Sequence, residues 1–454
     1  MNCPDRNCYW PGVANGLVNI PYTLDSAYSE SDRSTIVRAM MEFSSLTCIR
    51  FVPWTTERDY LSVISDDGCW SIVGRAGGAQ EVSLDANGCI FNGVIQHELN
   101  HAIGFVHEHS RSDRDLYIKV LWNNIMPGYS GNFNKVNTSN MNLEYDYKSV
   151  MHYGRSSFSV DPRLHTFDTI PNPSVSVGQR VGLSSLDVAK INKLYNCNMC
   201  SSILSDTSGT FFSASNPSNY PNNYNCTWLI RLPFSPYQVQ LQFLAFDVQS
   251  SSGCTADYIR VYDGPGKMSP LLLDRSCGSG QMPTLVASSE LMLVEFITDG
   301  SITATGFKAS YSAVQCGGTF SASSGNITSP GYYTQPEYPP FSDCLWTVLA
   351  PSGFRVQLTF QSFSVEPGPK CSYDSLEIRD GILPSSPLIG GLHCGKESIQ
   401  PIASSNIGLV LHFKSDSDRG STGFLATYSF IPSPQIRSDS RAVTPQTVLR
   451  NTIP

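Results

Sequence analysis

The sequence predicts a multidomain chain: a mixed α+β region over residues 1–198, two all-β sandwiches of one repeated type over 199–314 and 315–431, and an irregular tail over 432–454. Three observations carry this prediction. Four cysteines recur in the same order twice in the second half, the text between them alternates polar and apolar residues, and the first half has helical periodicity without the repeat. Length agrees, because 454 residues exceed what one hydrophobic core usually supports.

In the first region, 30-ESDRSTIVRAMMEFSSLT-47 has Ile36, Met40 and Phe43 on one helical face, and 93-GVIQHELNHAIGF-105 and 184-SSLDVAKINKLY-195 show the same period. Strand-like runs at 49-IRFVPW-54 and 60-YLSVIS-65 lie between them, so helices and strands share one core.

In the second half, Cys200, Cys226, Cys254 and Cys277 are separated by 25, 27 and 22 residues, and Cys316, Cys344, Cys371 and Cys394 by 27, 26 and 22. The text repeats as well. The segment 254-CTADYIRVYDG-264 answers 371-CSYDSLEIRDG-381, 276-SCG-278 answers 393-HCG-395, and 305-TGFKASY-311 answers 422-TGFLATY-428. Alternation in 238-QVQLQFLAFDV-248 and 355-RVQLTFQSFSV-365 makes each copy a β-sandwich. Along their whole length both copies resemble the CUB domain. That resemblance implies pairing of neighbours: Cys200 with Cys226, Cys254 with Cys277, Cys316 with Cys344, Cys371 with Cys394. The tail has few large apolar residues and no periodicity, and is expected to be disordered.

A formal charge of −8 offers no basic footprint for nucleic acid. No apolar run is long enough to span a bilayer; the best, at 291–297, is interrupted by Glu295 and reads as a strand. Fourteen cysteines, an even number, point to seven disulfides and an oxidising compartment. Secretion is the leading inference, and sequons at Asn137, Asn225 and Asn326 are compatible with it. Met1 is followed by no basic and apolar leader, so the text is read as a mature or truncated form, without signal or propeptide.

The stretch 97-HELNHAIGFVHEHSRSDRD-115 holds four of the eight histidines. His97 and His101 are four apart in a helical pattern, so both rings leave one face and reach a single cation; Glu98 beside them is placed as a base. Helices rich in Glu and His also arise by chance in solvent. Here the pattern continues through Gly104, which lets the chain leave the helix by a left-handed turn, to a third histidine, His107. HExxHxxGxxH is the metzincin signature, and it expects a methionine turn downstream. The segment 149-SVMHYG-154 supplies it, with Met151 as an apolar floor and Tyr153 beside the metal.

From these residues the first region, over about 10–197, resembles the astacin family of secreted zinc endopeptidases, with a metzincin-type fold. The resemblance implies zinc ligation by His97, His101 and His107, completed by water and by Tyr153 as a candidate additional ligand. It also implies Glu98 as general base, Tyr153 as donor to the oxyanion, and disulfides Cys48–Cys197 and Cys69–Cys89. Zinc acidifies a water to a pKa of about 7 and polarises the carbonyl, which suits these roles. His109, Arg111, Asp113, Arg114 and Asp115 are read as a solvated charged turn. In astacins the glutamate at the place of Glu108 meets the mature N-terminus; here 1-MNCPDRNCYWPG-12 adds a segment whose simplest pairing is Cys3 with Cys8.

That pair, two CUB modules and the absence of an EGF-like cysteine cluster resemble the hatching-enzyme branch, whose substrates are egg-envelope glycoproteins. Two readings stay open beside it: a protease that processes matrix or growth-factor proteins, and a non-catalytic protein that binds or adheres through its CUB modules. The resemblance to CUB domains also implies calcium in the second module, at Glu366, Asp374 and Asp416. The first keeps Asp257 and Asp299 but has Gln249 at the place of the glutamate, which leaves calcium there open. CUB modules imply protein or glycan ligands.

Overall fold

The computed structural model describes residues 3, 7–13, 15–213, 218–233, 237–418 and 420–434; the tail predicted to be disordered lies, from 435 onward, outside them. By internal contacts the chain divides into two compact units, 1–319 with 342–347, and 320–341 with 348–454.

The first unit begins with β1 (Val18–Leu24), α1 (Glu30–Leu46), β2 (Ile49–Pro53), β3 (Tyr60–Ile64), β4 (Cys69–Ser71), β5 (Ala79–Leu84) and α2 (Asn92–Ala102). The strands form one sheet in the order β2-β1-β3-β5-β4, parallel except for the antiparallel edge strand β4. Ser29 and Asp32 cap α1 reciprocally, satisfying two donors that a helix start leaves orphaned. Its residues Ile36, Ala39, Met40, Phe43 and Leu46 recur at three- and four-residue spacing and are buried together with Ile20, Leu61, Val63 and Val82 of the sheet. Glu42 shares that buried face.

Beyond α2 come β6 (Ile118–Val120) and β7 (Phe167–Thr169), paired over a small second core of Ile118, Ile125, Phe133, Tyr145 and Phe167, and then α3 (Ser185–Tyr195). α3 repeats the reciprocal cap through Ser184 and Asp187 and ends at Asn196 in a left-handed conformation. Cys48–Cys197 ties the end of α1 to the end of α3, and Cys69–Cys89 ties β4 to the loop before α2.

The first sandwich comprises β8 (Cys200–Leu204), β9 (Ser208–Phe212), β10 (Asn225–Arg231), β11 (Gln238–Val248), β12 (Tyr258–Tyr262), β13 (Leu271–Ser276), β14 (Gly278–Ser279), β15 (Leu285–Val286), β16 (Leu291–Ile297) and β17 (Gly306–Val314). One sheet runs β13-β12-β16-β10-β8, the other β14-β11-β17-β9 with β15 on β11. β10 and β16 are buried almost throughout rather than alternately. Both faces are covered. Trp228 of β10 meets Phe211 and Phe307 of the opposite sheet, whereas Ile203, Leu229, Tyr262 and Leu293 join the core of the α+β region.

The second copy follows the same plan with β18 (Gly317–Phe320), β19 (Ser324–Thr328), β20 (Asp343–Leu349), β21 (Phe354–Ser364), β22 (Ser375–Asp380), β23 (Leu388–His393), β24 (Ile402–Ala403), β25 (Gly408–Lys414) and β26 (Gly423–Pro432). One sheet runs β19-β26-β21-β24, and β22 lies between β23 and β25 in the other. The remaining disulfides are Cys3–Cys8, Cys200–Cys226, Cys254–Cys277, Cys316–Cys344 and Cys371–Cys394, with no free cysteine. Among the described residues no helix is long and apolar enough to cross a membrane.

Candidate metal centre and cleft

α2 is buried along nearly its whole length, with Ile95, Leu99 and Ala102 in the core and His97, Glu98 and His101 at the floor of a cleft of about 540 Å³. The helix stops because Gly104 takes φ +103°, where its amide donates to His101 O at 2.8 Å. A side chain there is excluded twice over, since a Cβ would also lie 2.9 Å from the Tyr9 ring. The chain then turns back and brings His107 to the same point.

Three ring nitrogens converge there. His97 Nε2 and His101 Nε2 each lie 3.2 Å from His107 Nε2. His97 Nδ1 donates to Val150 O at 2.8 Å and His101 Nδ1 to Phe105 O at 2.7 Å, so both neutral rings turn a bare Nε2 lone pair to the centre. Burial holds the rings neutral, lowering His97 to about 3 and His101 to about 4. Lone pairs facing one another repel unless a cation lies between them. Tetrahedral zinc with bonds of about 2.0–2.1 Å separates its ligand nitrogens by about 3.3 Å, so the donor set fits zinc in type and spacing.

Glu98 lines the same cleft, 5 % exposed, and burial raises its carboxyl to about 7 against the pull of Arg180. Tyr153 is half-buried beside His107, ring centroids 4.5 Å apart; burial raises its phenol, so it stays a proton donor at neutral pH. Met151 is buried in the main core, in the turn that receives His97 through Val150 O.

That turn is held by residues for which sequence reasoning assigned no role. Asp187, a cap residue of α3, accepts from Ser149 Oγ at 2.6 Å and from Val150 N at 2.8 Å. Arg180 Nη1 donates to Val150 O and His152 O, both at 3.0 Å. The S-x-x-D cap signature at 184–187 was a visible signal for Asp187 as a capping residue; Arg180 carries none. Glu108 is engaged by Lys190 Nζ at 2.7 Å, Arg111 Nη1 at 3.1 Å and Asp146 N at 2.8 Å.

The expectation of a solvated turn after His107 needs correction. His109, Arg111 and Arg114 are buried, while Asp113 and Asp115 keep part of their exposure. The reason is the long irregular segment beside them, whose carbonyls require donors. Arg111 donates to Leu143 O and Glu144 O, Arg114 to His109 O and Phe133 O, and His109 stacks on Tyr153 at 3.9 Å.

In the second sandwich, ligand atoms of Glu366, Asp374 and Asp416 lie within 4.8 Å of one another, with Asp374 fully buried. Asn137 and Asn326 are exposed; Asn225, at the start of β10, is half-buried.

The model of the astacin peptidase family matches residues 10–196, and that of the CUB domain matches 200–311 and 316–428. Embryonic protein UVS.2 of Xenopus laevis is 47% identical over 428 residues, 94% of this chain and 82% of that protein. The astacin-like metalloendopeptidase of Coturnix japonica is 51% identical over 317 residues, 69% of this chain and 76% of that protein. Among solved structures, high choriolytic enzyme 1, a hatching-enzyme zinc protease from the medaka Oryzias latipes, is 51% identical; the match covers 43% of this chain and 98% of that one, with a TM-score of 0.43.

Proposed function

The chain belongs to the astacin family and is a zinc metalloendopeptidase, and on that premise we propose that His97, His101 and His107 hold the zinc, that Glu98 is the general base, and that the enzyme is secreted and opens egg-envelope proteins. The observation that carries the site assignment is the convergence of three Nε2 atoms at 3.2 Å contacts with two Nδ1–H groups already committed to carbonyls.

Zinc, when bound, supplies the Lewis acid that acidifies water and polarises the scissile carbonyl. Glu98, with its carboxyl raised by burial, takes the proton of the attacking water and returns it to the departing amine. Tyr153, protonated at neutral pH, donates to the oxyanion, a contact worth a few kcal/mol, and is a candidate additional ligand in the resting enzyme. Purified protein is expected to carry one zinc and cleave peptides, while Glu98→Ala keeps the metal and loses turnover by about 10²–10⁴-fold. Equal turnover of the two would remove the mechanism.

The egg-envelope reading is supported by an amino-terminal Cys3–Cys8 pair before one protease region and two CUB modules, and by the embryonic Xenopus relative that matches along 94% of the chain. In this reading the CUB modules hold the protease on protein or glycan components of the matrix, and the second binds calcium through Glu366, Asp374 and Asp416. Incubating the enzyme with isolated egg envelopes tests it. Release of soluble glycopeptides by wild type and none by Glu98→Ala is expected; intact envelopes under an enzyme active on peptides would reject the substrate while leaving the chemistry.

A further inference from the structure

Arg231 ends β10 of the first sandwich, yet its guanidinium is buried among residues of the α+β region. Nη2 pairs with Glu42 of α1, and Nη1 donates to Leu183 O at 2.9 Å; the two side chains are 7% and 2% exposed. Glu42 Oε2 also accepts from Gln96 Nε2 at 2.7 Å, and Oε1 from Asn92 Nδ2 at 3.1 Å. Gln96 and Asn92 both lie on α2, and Gln96 directly precedes His97. Gln96 Oε1 in turn accepts from Leu183 N at 2.7 Å, which closes the ring of contacts. The packing leaves no slack: a Cβ on Gly182 would lie 2.8 Å from Gln96 Oε1 and 2.9 Å from Arg231 Nη1.

A buried carboxylate persists only where charge and hydrogen bonds meet it. Among the described residues the ion-pair partner of Glu42 comes from the sandwich, 189 positions away. The surrounding surface is built to match. Strand alternation sets Thr227, Leu229 and Arg231 on one face of β10. Thr227 Oγ1 donates to Ser45 O of α1 at 2.9 Å, Leu229 enters the common core, and Ser185 of α3 exchanges hydrogen bonds with the Ile203 backbone at 2.8 and 3.1 Å.

We propose that the first sandwich is a positioning element of the catalytic unit: Arg231, acting through Glu42 and Gln96, sets the rotation and depth of α2 and thereby the place of His97 and Glu98. The inference rests on the zinc site proposed above. Arg231 touches neither substrate nor metal; its role is to keep the Glu42 carboxylate aimed at Gln96, so that the helix has one seat rather than several.

The test uses the full chain, with kcat and KM on a peptide and the rate of zinc release to excess chelator measured together. Arg231→Met is expected to release zinc about tenfold faster and to lose kcat by a similar factor with KM little changed, the range in which groups behind a ligand usually act. Arg231→Lys, which keeps the charge but not the two-pronged fork, shifts both readouts less and in the same direction, and it decides the matter should Arg231→Met fail to fold. Arg231→Met combined with Gln96→Ala is no worse than the worse single change, because both cut one relay. Wild-type zinc release and kcat in folded Arg231→Lys, or losses that simply add in the double variant, would overturn the proposal. His97→Ala, run alongside, separates this from failure of the zinc site, because undiminished zinc binding there would reject the ligand assignment itself.

Discussion

In the first sandwich Tyr220 donates to Asp257 Oδ2 at 2.6 Å, Asp257 Oδ1 accepts from the Asp299 amide at 2.7 Å, and the Gln249 amide donates to Tyr220 Oη at 2.9 Å. The second repeats each contact: Tyr338 donates to Asp374, the Asp416 amide reaches Asp374 at 2.9 Å, and the Glu366 amide reaches Tyr338 Oη at 2.9 Å. One side chain differs. Glu366 adds a third carboxylate to Asp374 and Asp416, with ligand atoms all within 4.8 Å, the cluster at which calcium is proposed above. Gln249 instead sets an uncharged side-chain amide beside Asp257 Oδ2 and Ile302 O, and the amide orientation that satisfies both acceptors turns its nitrogen to them at 3.3 and 2.8 Å. The two copies thus share one hydrogen-bond frame and differ, at the place where calcium is proposed, in Glu366 against Gln249.

The largest expected effect comes from Glu366→Gln, which turns the second loop cluster into the first. Calorimetry of the wild-type chain should show calcium stabilising the second sandwich by about 2.7 kcal/mol at a hundredfold excess over Kd, and the variant should lose that gain. Retention of the calcium effect by Glu366→Gln would break the comparison. Next come Tyr220→Phe and Tyr338→Phe, which strip the shared frame of a hydroxyl serving a buried aspartate and a backbone amide. Each should cost about 1–3 kcal/mol by denaturant unfolding, and the two should agree when calcium is chelated. A clear inequality under chelator would mean that the frames are not equivalent. Smallest is Gln249→Glu, expected to destabilise the first sandwich by roughly 1 kcal/mol in chelator through carboxylate repulsion and to make it respond to calcium for the first time. If isothermal titration finds no new calcium binding, further loop residues govern the site.

The same contrast between local pattern and distant partner runs through the catalytic region. His97, Glu98, His101, Gly104 and His107 lie within eleven positions, where helical period and one left-handed turn dictate which atoms meet, so their grouping was legible as spacing. The duplicated sandwich was legible for a related reason: two copies of one text fold under the same local rules. The turn after His107 was misjudged because charge predicts solvent only when nearby carbonyls need no donors, and those of Asn132 and Phe133 at the end of a short 3-10 turn and of Leu143 and Glu144 in the irregular segment after it take donors from His109, Arg111 and Arg114.

By itself the sequence determined the elements, the repeat, the convergent histidines and the Glu366/Gln249 difference, because each depends on residue type at short spacing. Only the tertiary structure decided what stands behind them. Asp187 and Arg180 hold the turn at 149–152, Lys190 meets Glu108, and Arg231 pairs with Glu42 behind α2. Those contacts bring together elements remote in the chain, and each is settled by which charged group finds a buried partner, an opposite charge or a backbone dipole, when the elements pack, a condition that no period in the text expresses.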